Sequence, residues 1–353
     1  MPWKQLTKRE NGSYFHCITP EIQQRLQQQF PVDFPEAYRM FYSGRHALKF
    51  LISHIQQQRE VLTIWMPEYY CQHVNRWMQH NYPNLAYYPS HPFNPAQPIT
   101  LPPGIAATDI LVVNNYWGVS EMPIFEAGER PVIIEDHSHA WLSRQSLHSQ
   151  ADYCFVSLRK SLPIPLGGIC WKPGGTLPVD PLEEDPALYA AWDLMATAMQ
   201  HKTAYLTGTE QVEKSLYLGQ IAEVEEALDV SHVPVRMRPG DQDYVRRWME
   251  VDVLGIKEQH LAFLFGHLTP SRHYRIIQRQ GHPSFGLMLL FEDAAAYTSF
   301  RSFLIEREIY PSNLWPDNRE WQYFLNLHID FRYGQQHLEH IAETLNTWNR
   351  NNP

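Results

Sequence analysis

Five short apolar segments alternate with helical stretches along the first half of the chain, and each ends in polar residues. They are VLTIWMP (61–67), ILVVNNYWG (110–118), PVIIEDHSHAW (131–141), ADYCFVSLRKS (151–161) and GGICWKP (167–173). Runs of this length are typical of buried strands, and their alternation with helices is typical of a parallel sheet with helices on its faces. Because the chemistry of such sheets lies where the strands end, the polar residues after these runs are the candidate site.

The rest of the chain predicts a second, smaller unit. Residues 182–227 have helical periodicity, and the connection VSHVPVRMRPGD leads to further helices and to the strand candidates FGLMLLF and WQYFLNLHI. A last helix is predicted from Gln335 to about Trp348. We therefore predict an α/β protein: a large domain at 1–230, with a mostly parallel sheet flanked by helices, and a smaller C-terminal α+β domain at 231–353.

Composition limits the classes of function. Hydrophobic residues make up 44% and charged residues 19% of the 353 residues, which is typical of a folded globular protein. The formal net charge of -9 has the wrong sign for a nucleic-acid-binding protein. No apolar run is long enough to be a membrane span, and the N-terminal segment MPWKQLTKRENGSYFH has no apolar stretch that could be a signal-peptide core. Four dispersed cysteines indicate neither disulfides nor a cysteine zinc site. We expect a soluble cytoplasmic protein.

A serine and a lysine follow one of the strand candidates, as Ser157-Leu-Arg-Lys160, with a flexible Gly-Gly pair shortly after them. The S-x-x-K spacing occurs in serine transpeptidases and β-lactamases, but their S-D-N companion is missing and the nearest K-T-G is Lys202-Thr203-Ala204. In an enzyme that uses pyridoxal phosphate, the lysine amine forms a Schiff base and the serine hydroxyl donates to the cofactor phosphate. A surface lysine at a strand end is the third explanation.

A run of five polar residues follows the strand candidate PVII, and it has two chemical interpretations. A carboxylate such as Asp136 at a strand end can pair with a pyridinium nitrogen. Alternatively, Asp136, His137 and His139 offer metal ligands, and the pair His328 and Asp330 can complete such a site. Against the metal, neighbouring residues of a strand point to opposite faces, so only alternate members converge. A solvated polar turn also fits this segment.

The segment Ser43-Gly44-Arg45 precedes a predicted helix, SGRHALKFLISHI, whose first backbone N–H groups suit a phosphate. Neither a Walker motif nor a G-x-G-x-x-G fingerprint occurs, which argues against nucleoside triphosphates and NAD. Tyr69 and Tyr70 lie at a strand-to-helix junction, where one of them can stack on a flat cofactor.

Taken in order, these motifs resemble the successive landmarks of the DegT-like (sugar aminotransferase) branch of the fold-type I pyridoxal-phosphate enzymes. The motifs are SGRHAL, MPEYYC, VVNNYWG, VIIEDHSHAW and FVSLRKSLPIPLGG, and the similarity extends over roughly 10–350 to IYPSNLWP and HIDFRYG. The resemblance implies an aminotransferase with pyridoxal 5′-phosphate as cofactor. It would move an amino group from an amino-acid donor such as glutamate to a keto acceptor such as a keto sugar. It also implies a homodimer or a dimer of dimers.

The resemblance implies roles for eight residues. Lys160 would be the Schiff-base lysine and would also move the substrate proton, and Asp136 would pair with the pyridine nitrogen of the cofactor. His139 would lie near the phenolic oxygen of the cofactor, Asn115 would face its ring, and Tyr70 would stack on the ring. The cofactor phosphate would be held by Gly44, Arg45 and Ser157. In addition, we expect Arg332 of HIDFRYG near the mouth of the site, where a planar guanidinium can bind a substrate carboxylate in bidentate fashion. An ordinary ion pair within the small domain is the other explanation for Arg332.

The sequence also departs from the family pattern. The stacking position four residues after the proline is Cys71, the stretch IKEQHLAFLFGHL lacks an Arg-x-x-Asn pair, and Pro165-Leu166-Gly167-Gly168 replaces Pro-Asp-Gly-Gly. Two alternatives therefore stay open. One is a binding or regulatory protein that keeps the cofactor fold without turnover, and the other is a metal-dependent hydrolase using Asp136, His137 and His139.

Overall fold

The computed structural model describes residue 8 and residues 10–90, 92–93, 99, 102–123, 128–179, 181–312 and 323–352. Within these ranges the chain forms a seven-stranded sheet flanked by helices and a separate three-stranded sheet. None of the helices in the described part is long and apolar enough to cross a membrane.

The large sheet consists of seven short strands. They are β1 Tyr38–Phe41, β2 Ile64–Pro67, β3 Leu85–Tyr88, β4 Ile110–Asn114, β5 Val132–Asp136, β6 Tyr153–Ser157 and β7 Gly168–Trp171. Their order in the sheet is β1-β7-β6-β5-β4-β2-β3. Neighbouring strands from β3 to β6 pair in parallel, whereas β7 pairs antiparallel with both β6 and β1. The predicted mostly parallel sheet is confirmed.

Both faces of this sheet are covered, because alternate residues of one strand enter different cores. Leu111 and Val113 of β4 pack in one hydrophobic cluster, and Ile110 and Val112 pack in another. The covering helices are α1 Pro20–Gln29, α2 Gly44–Gln58, α3 Gln72–Asn81, α4 Arg144–Leu147, α5 Pro186–Thr207, α6 Lys214–Val230 and α7 Pro239–Met249. Helix α2 begins where the sequence predicts it, because the Ser43 hydroxyl oxygen accepts the backbone N–H of His46 at 3.2 Å.

The C-terminal part forms a small α+β unit, as predicted. It contains α8 Val253–His267, β8 Tyr274–Ile276, β9 Leu287–Phe291, α9 Ala294–Ile305, β10 Tyr323–Leu327 and α10 Gln335–Asn351. The strands are antiparallel in the order β10-β9-β8. One face of this sheet packs on α8, α9 and α10. The other face packs through Met288, Leu290 and Phe324 on the Trp117 loop, the turn Tyr116–Gly118 that follows β4 of the large sheet. This second contact holds the small sheet over the ends of the parallel strands.

The division of the chain after residue 230 stays a prediction. Val245 and Trp248 of α7 pack in the core of the large sheet, whereas Leu261 of α8 packs in the core of the small sheet. This packing favours a position within α8. Of the segment IYPSNLWP, residues 313–316 lie outside the described part of the chain.

Candidate active site

A cavity of about 480 Å³ lies at the carboxyl ends of β5 and β6, between the large sheet and the small sheet. Seven of the nine residues singled out from the sequence line it. These are Gly44, Arg45, Tyr70, Asp136, Ser157, Lys160 and His139. Asn115 and Arg332 lie elsewhere. The volume is within the range of small-molecule and cofactor sites.

Asp136 is the last residue of β5, and its carboxylate is oriented by two donors. The backbone N–H of Ser138 donates to Oδ1 at 2.8 Å, and the hydroxyl of Tyr70 donates to Oδ2. Only 4% of the Asp136 side chain is exposed. Since a carboxylate offers about four lone-pair positions, Asp136 keeps acceptor capacity for a group inside the cavity.

Lys160 follows β6 through a single turn of 3-10 helix, and its Nζ lies 3.4 Å from Nε2 of His139. Burial holds the pKa of His139 well below its usual value, and the positive charges of Lys160 and Lys257 lower it further. The imidazole is therefore neutral at physiological pH, so its Nε2 can accept a proton or a hydrogen bond from the amine. The ring of Phe285 packs against His139, with 4.6 Å between the ring centroids.

The start of α2 also lines the cavity. The backbone there approaches β6 and β7 so closely that side chains are excluded: a Cβ added at Gly44 would lie 3.0 Å from Cβ of Ser157. A Cβ added at Gly168 would lie 2.5 Å from the carbonyl carbon of Ser43. The second glycine of the predicted Gly-Gly pair thus allows the helix N-terminus and the Ser157 hydroxyl to meet in one cradle, which suits an anion.

The arginine side chains near this cradle are already paired with carboxylates of α6. Arg159 donates to both oxygens of Glu225 at 2.6 and 3.0 Å, and Arg45 pairs with Asp229 and, at 3.9 Å, with Glu225. An anion at the cradle would therefore meet the backbone N–H groups at the start of α2 and the Ser157 hydroxyl rather than these guanidinium groups; the phosphate role of Arg45 stays a prediction.

Two neighbouring tyrosines have different environments. Tyr70 lines the cavity and donates to Asp136, whereas Tyr69 packs against Phe93 and Trp117 at ring-centroid distances of 5.3 and 6.1 Å. Cys71 also lines the cavity. Of the two tyrosines, only Tyr70 lines the cavity.

Asn115 and Arg332 are not on the cavity wall. The Asn115 amide donates to Oε1 of Gln145 at 2.9 Å and lies 3.4 Å from Nδ1 of His137. The Arg332 guanidinium is buried, pairs with both carboxylate oxygens of Asp330, and donates to the carbonyl oxygens of Gly12 and Tyr14. These contacts favour the alternative explanation, an ion pair within the small domain, over a substrate role for Arg332.

The ligand set of the metal alternative does not converge. Asp136 and His139 face the cavity, but His137 points to the other side of the sheet, where its Nε2 lies 2.9 Å from Oε2 of Glu135. Glu135, His137 and Cys154 have ligand atoms within 4.8 Å of one another, but the Glu135 carboxylate is already occupied by His137 and by the Ser149 hydroxyl at 2.6 Å. We interpret this buried cluster as a hydrogen-bonded part of the core.

Three residues of the small domain line the cavity, and the sequence predicted none of them as a cofactor-site or substrate-site residue: Phe285, Ser312 and His328. Phe285 lies in the strand candidate FGLMLLF and carries no signal of its own. The sequence points to His328 only as a metal ligand. Its available signal was the alternation of His328, Asp330 and Arg332, since residues two apart in an extended segment share a face.

No protein-family model and no curated protein matches this chain. Solved structures do match in fold. The sugar aminotransferase CalS13 from Micromonospora echinospora has a TM-score of 0.55 and 14% identity, over 96% of this chain and 99% of that chain. The aminotransferase TlmJ from Streptoalloteichus hindustanus has a TM-score of 0.58 and 10% identity, over 96% and 98%.

A third match is a GDP-4-keto-6-deoxymannose-3-dehydratase with a trapped PLP-glutamate geminal diamine. Its TM-score is 0.56 at 9% identity, over 95% of this chain and the whole of that chain. Identities this low show the fold alone. The resemblance seen in the sequence is confirmed at that level: this chain has the fold shared by these sugar aminotransferases and the dehydratase.

Proposed function

We propose that this protein is a pyridoxal-phosphate-dependent aminotransferase. The observation that carries the proposal is that Lys160, Asp136 and the cradle at Gly44 all face one cavity. A lysine amine, a buried carboxylate and an anion-binding helix N-terminus are the three groups that this cofactor needs. When bound, pyridoxal phosphate supplies an aldehyde that carries amino groups and a ring that accepts electrons.

The residues present fit the cofactor. The cradle would hold its phosphate through the backbone N–H groups of Gly44 and Arg45 and the hydroxyl of Ser157. Asp136 would hold a proton on the ring nitrogen, because a buried carboxylate stabilises the neighbouring positive charge. Tyr70 and His139 would lie beside the ring.

Lys160 would act twice. Its amine would hold the cofactor, and the same amine would move a proton to or from the substrate carbon. His139 is placed to assist this second role, because its neutral Nε2 lies 3.4 Å from the amine and can accept a hydrogen bond from it. This contact would orient the amine toward the reacting carbon.

The substrates we propose are an amino-acid donor, with glutamate as the first candidate, and a keto acceptor such as a keto sugar. The support is the shared fold with proteins described as sugar aminotransferases and with the dehydratase trapped with PLP-glutamate. We also propose a homodimer, which light scattering tests directly. A monomer of about 41 kDa with full cofactor occupancy would argue against it.

The function is tested by incubating the protein with pyridoxal phosphate and reducing it with borohydride. We expect a visible absorption band before reduction and, afterwards, the cofactor attached to Lys160 by mass spectrometry. Lys160→Ala should lose the band but keep some non-covalent cofactor. Lys172→Ala is the control, because that exposed lysine follows β7 outside the cavity.

Turnover is tested by adding each of the twenty amino acids and following conversion of the cofactor to its pyridoxamine form. Asp136→Ala should keep the cofactor yet lose at least about 10²-fold of this conversion rate, because an unprotonated ring is a poor electron acceptor. Keto acceptors, including GDP-4-keto-6-deoxymannose, are then added to the pyridoxamine form. A protein that binds the cofactor but converts it with none of these compounds is the non-catalytic binding protein instead.

A further inference from the structure

Lys160 lies on a single turn of 3-10 helix, Leu158–Lys160, that follows β6. Because this kind of helix has about three residues per turn, its side chains point in directions about 120° apart. Leu158 is fully buried in the core of the large sheet, Lys160 lines the cavity, and Arg159 points toward α6. One short turn makes few hydrogen bonds of its own, so its rotation depends on what these side chains contact.

Arg159 is held by a carboxylate of α6. Its two terminal nitrogens donate to the two oxygens of Glu225, at 2.6 and 3.0 Å. A bidentate pair fixes the plane of the guanidinium as well as its distance. Burial raises the pKa of Glu225, but Arg159 and Arg45 more than offset this effect and hold the pKa below its usual value. The carboxylate is therefore ionised at neutral pH, and it gives the turn a second fixed point besides Leu158.

The next turn of α6 holds the start of α2 in a similar way. Asp229 lies four residues after Glu225, hence on the same face of the helix, and pairs with the guanidinium of Arg45. Glu225 lies 3.9 Å from this guanidinium. One face of α6 thus contacts the turn that carries Lys160 and the helix start that forms the cradle. The two contacts can be separated by mutation, because each carboxylate is the closer partner of a different arginine.

We propose that Glu225 is a positioning residue for Lys160. Through Arg159 it fixes the rotation of the turn Leu158–Lys160, and thereby the direction in which the lysine amine enters the cavity. The proposal rests on the proposed function, in which Lys160 would hold the cofactor. It differs from an ion pair that only stabilises the fold, because the effect of Glu225 on cofactor binding must then depend on the presence of Lys160.

This dependence is measured by a double-mutant cycle on the dissociation constant of pyridoxal phosphate. Equilibrium dialysis gives this constant for wild type, Glu225→Gln, Lys160→Ala and the double variant. We expect Glu225→Gln to weaken binding by about tenfold when Lys160 is present, because the amine is misdirected, and not to weaken it when residue 160 is alanine. Electrostatics alone predicts tighter binding in both backgrounds, because the substitution removes a negative charge near the phosphate.

Arg159→Lys is the second variant. It keeps the charge but cannot form the bidentate pair, so it should also weaken cofactor binding only when Lys160 is present. Asp229→Asn frees Arg45 at the cradle, so it should change binding by the same factor in both backgrounds.

Asp152→Asn is the matched control. Asp152 forms a bidentate pair with Arg130 at 2.5 and 3.1 Å, outside the cavity, and the side chains of this pair are about as exposed as those of Arg159 and Glu225. Its loss should leave cofactor binding within about twofold of wild type. Urea denaturation verifies that each variant is folded.

The position of Lys160 is also measured in the cofactor-free protein, from the rates at which acetic anhydride labels Lys160 and Lys172. We expect Glu225→Gln to raise the ratio of these rates by at least about twofold, because a loosened turn exposes the Lys160 amine, and Asp152→Asn to leave it unchanged. This result can be read even if the protein binds no pyridoxal phosphate, an outcome that would defeat only the proposed function. An unchanged ratio in Glu225→Gln would overturn the proposal. So would a cofactor affinity that falls equally with and without Lys160, or does not fall at all.

Discussion

The Tyr70 hydroxyl and the Asp136 carboxylate form a buried hydrogen bond that joins the start of α3 to the end of β5. Burial raises the pKa of Tyr70 well above its usual value, and the neighbouring carboxylate adds to this, so the phenol keeps its proton and donates. A donor fixed in this way orients Asp136 before any cofactor binds. Tyr69, one residue earlier, packs among aromatic rings instead. The sequence did not distinguish the two decisively, since the direction of a side chain at a strand end depends on the turn that follows.

We predict that Tyr70→Phe lowers the free energy of unfolding by roughly 1.5–3 kcal/mol, because a hydrogen bond to an ionised group is lost inside the protein. Tyr88→Phe is the matched control. Its hydroxyl donates at 2.8 Å to the neutral carbonyl oxygen of Val112, so its loss should cost only about 0.5–1.5 kcal/mol. Urea denaturation of the cofactor-free variants measures both values. Equal losses would mean that the charge of Asp136 does not strengthen the bond.

At the scale of elements, the site depends on how closely β7 approaches the start of α2. Gly168 has no space for a Cβ, since one would lie 2.5–2.6 Å from the backbone of Ser43 and Gly44. These backbone atoms of Ser43 and Gly44 cannot shift away from an added Cβ without moving the start of helix α2. The position of the anion-binding N–H groups is therefore set by the packing of two elements as well as by the helix itself.

We predict that Gly168→Ala lowers the free energy of unfolding by roughly 1–3 kcal/mol through overpacking, and weakens the binding of pyridoxal phosphate by shifting the cradle. Gly219→Ala in α6 is the control. Nothing lies within 4 Å of its added methyl group, so it should stabilise the helix by about 0.5–1 kcal/mol and leave cofactor affinity unchanged. Denaturation and cofactor titration measure the two effects. If Gly168→Ala binds the cofactor as tightly as wild type, the close approach does not position the cradle.

The elements that carry the site were predicted from local patterns. The apolar run before Asp136 predicts a strand, and the serine before α2 predicts the start of a helix. The structure has β5 and α2 at these positions. The sequence did not predict β1 and β3, because these edge strands are mostly half-buried and lack the continuous apolar runs of the central strands. His328 and Phe285 reach the cavity only because the small sheet packs on the Trp117 loop, a contact between distant parts of the chain that no local pattern encodes.

At the scale of the whole molecule, the N-terminal arm connects the two units. Asn11 forms a β-bridge with Ile309, and the carbonyl oxygen of Gly12 accepts from Arg332 of the small domain. One residue earlier, Glu10 pairs with Lys202 at 2.7 Å and Lys214 at 2.9 Å. The arm thus ties α5 and α6 to the small domain, and its charges make this connection dependent on pH.

Burial alone would raise the pKa of Glu10, but Lys202 and Lys214 more than offset it, so the pKa lies below its usual value. A carboxylate with a lowered pKa stabilises the fold above its unfolded pKa, and this contribution is lost as the pH falls through the folded pKa. We predict that Glu10→Gln lowers the free energy of unfolding at pH 7 by up to about 3 kcal/mol, because Lys202 loses its partner.

The difference between Glu10→Gln and wild type should begin to shrink below about pH 4.5, where the Glu10 carboxylate of the unfolded chain becomes protonated, and should disappear as the pH falls through the lower pKa of the folded state. Glu226→Gln is the control, since this carboxylate on α6 is exposed and its loss should change stability by less than about 0.5 kcal/mol. Urea denaturation from pH 3 to 7 gives the three curves. The arm does not join the two units electrostatically if Glu10→Gln matches Glu226→Gln at pH 7, or if its deficit is as large at pH 3 as at pH 7.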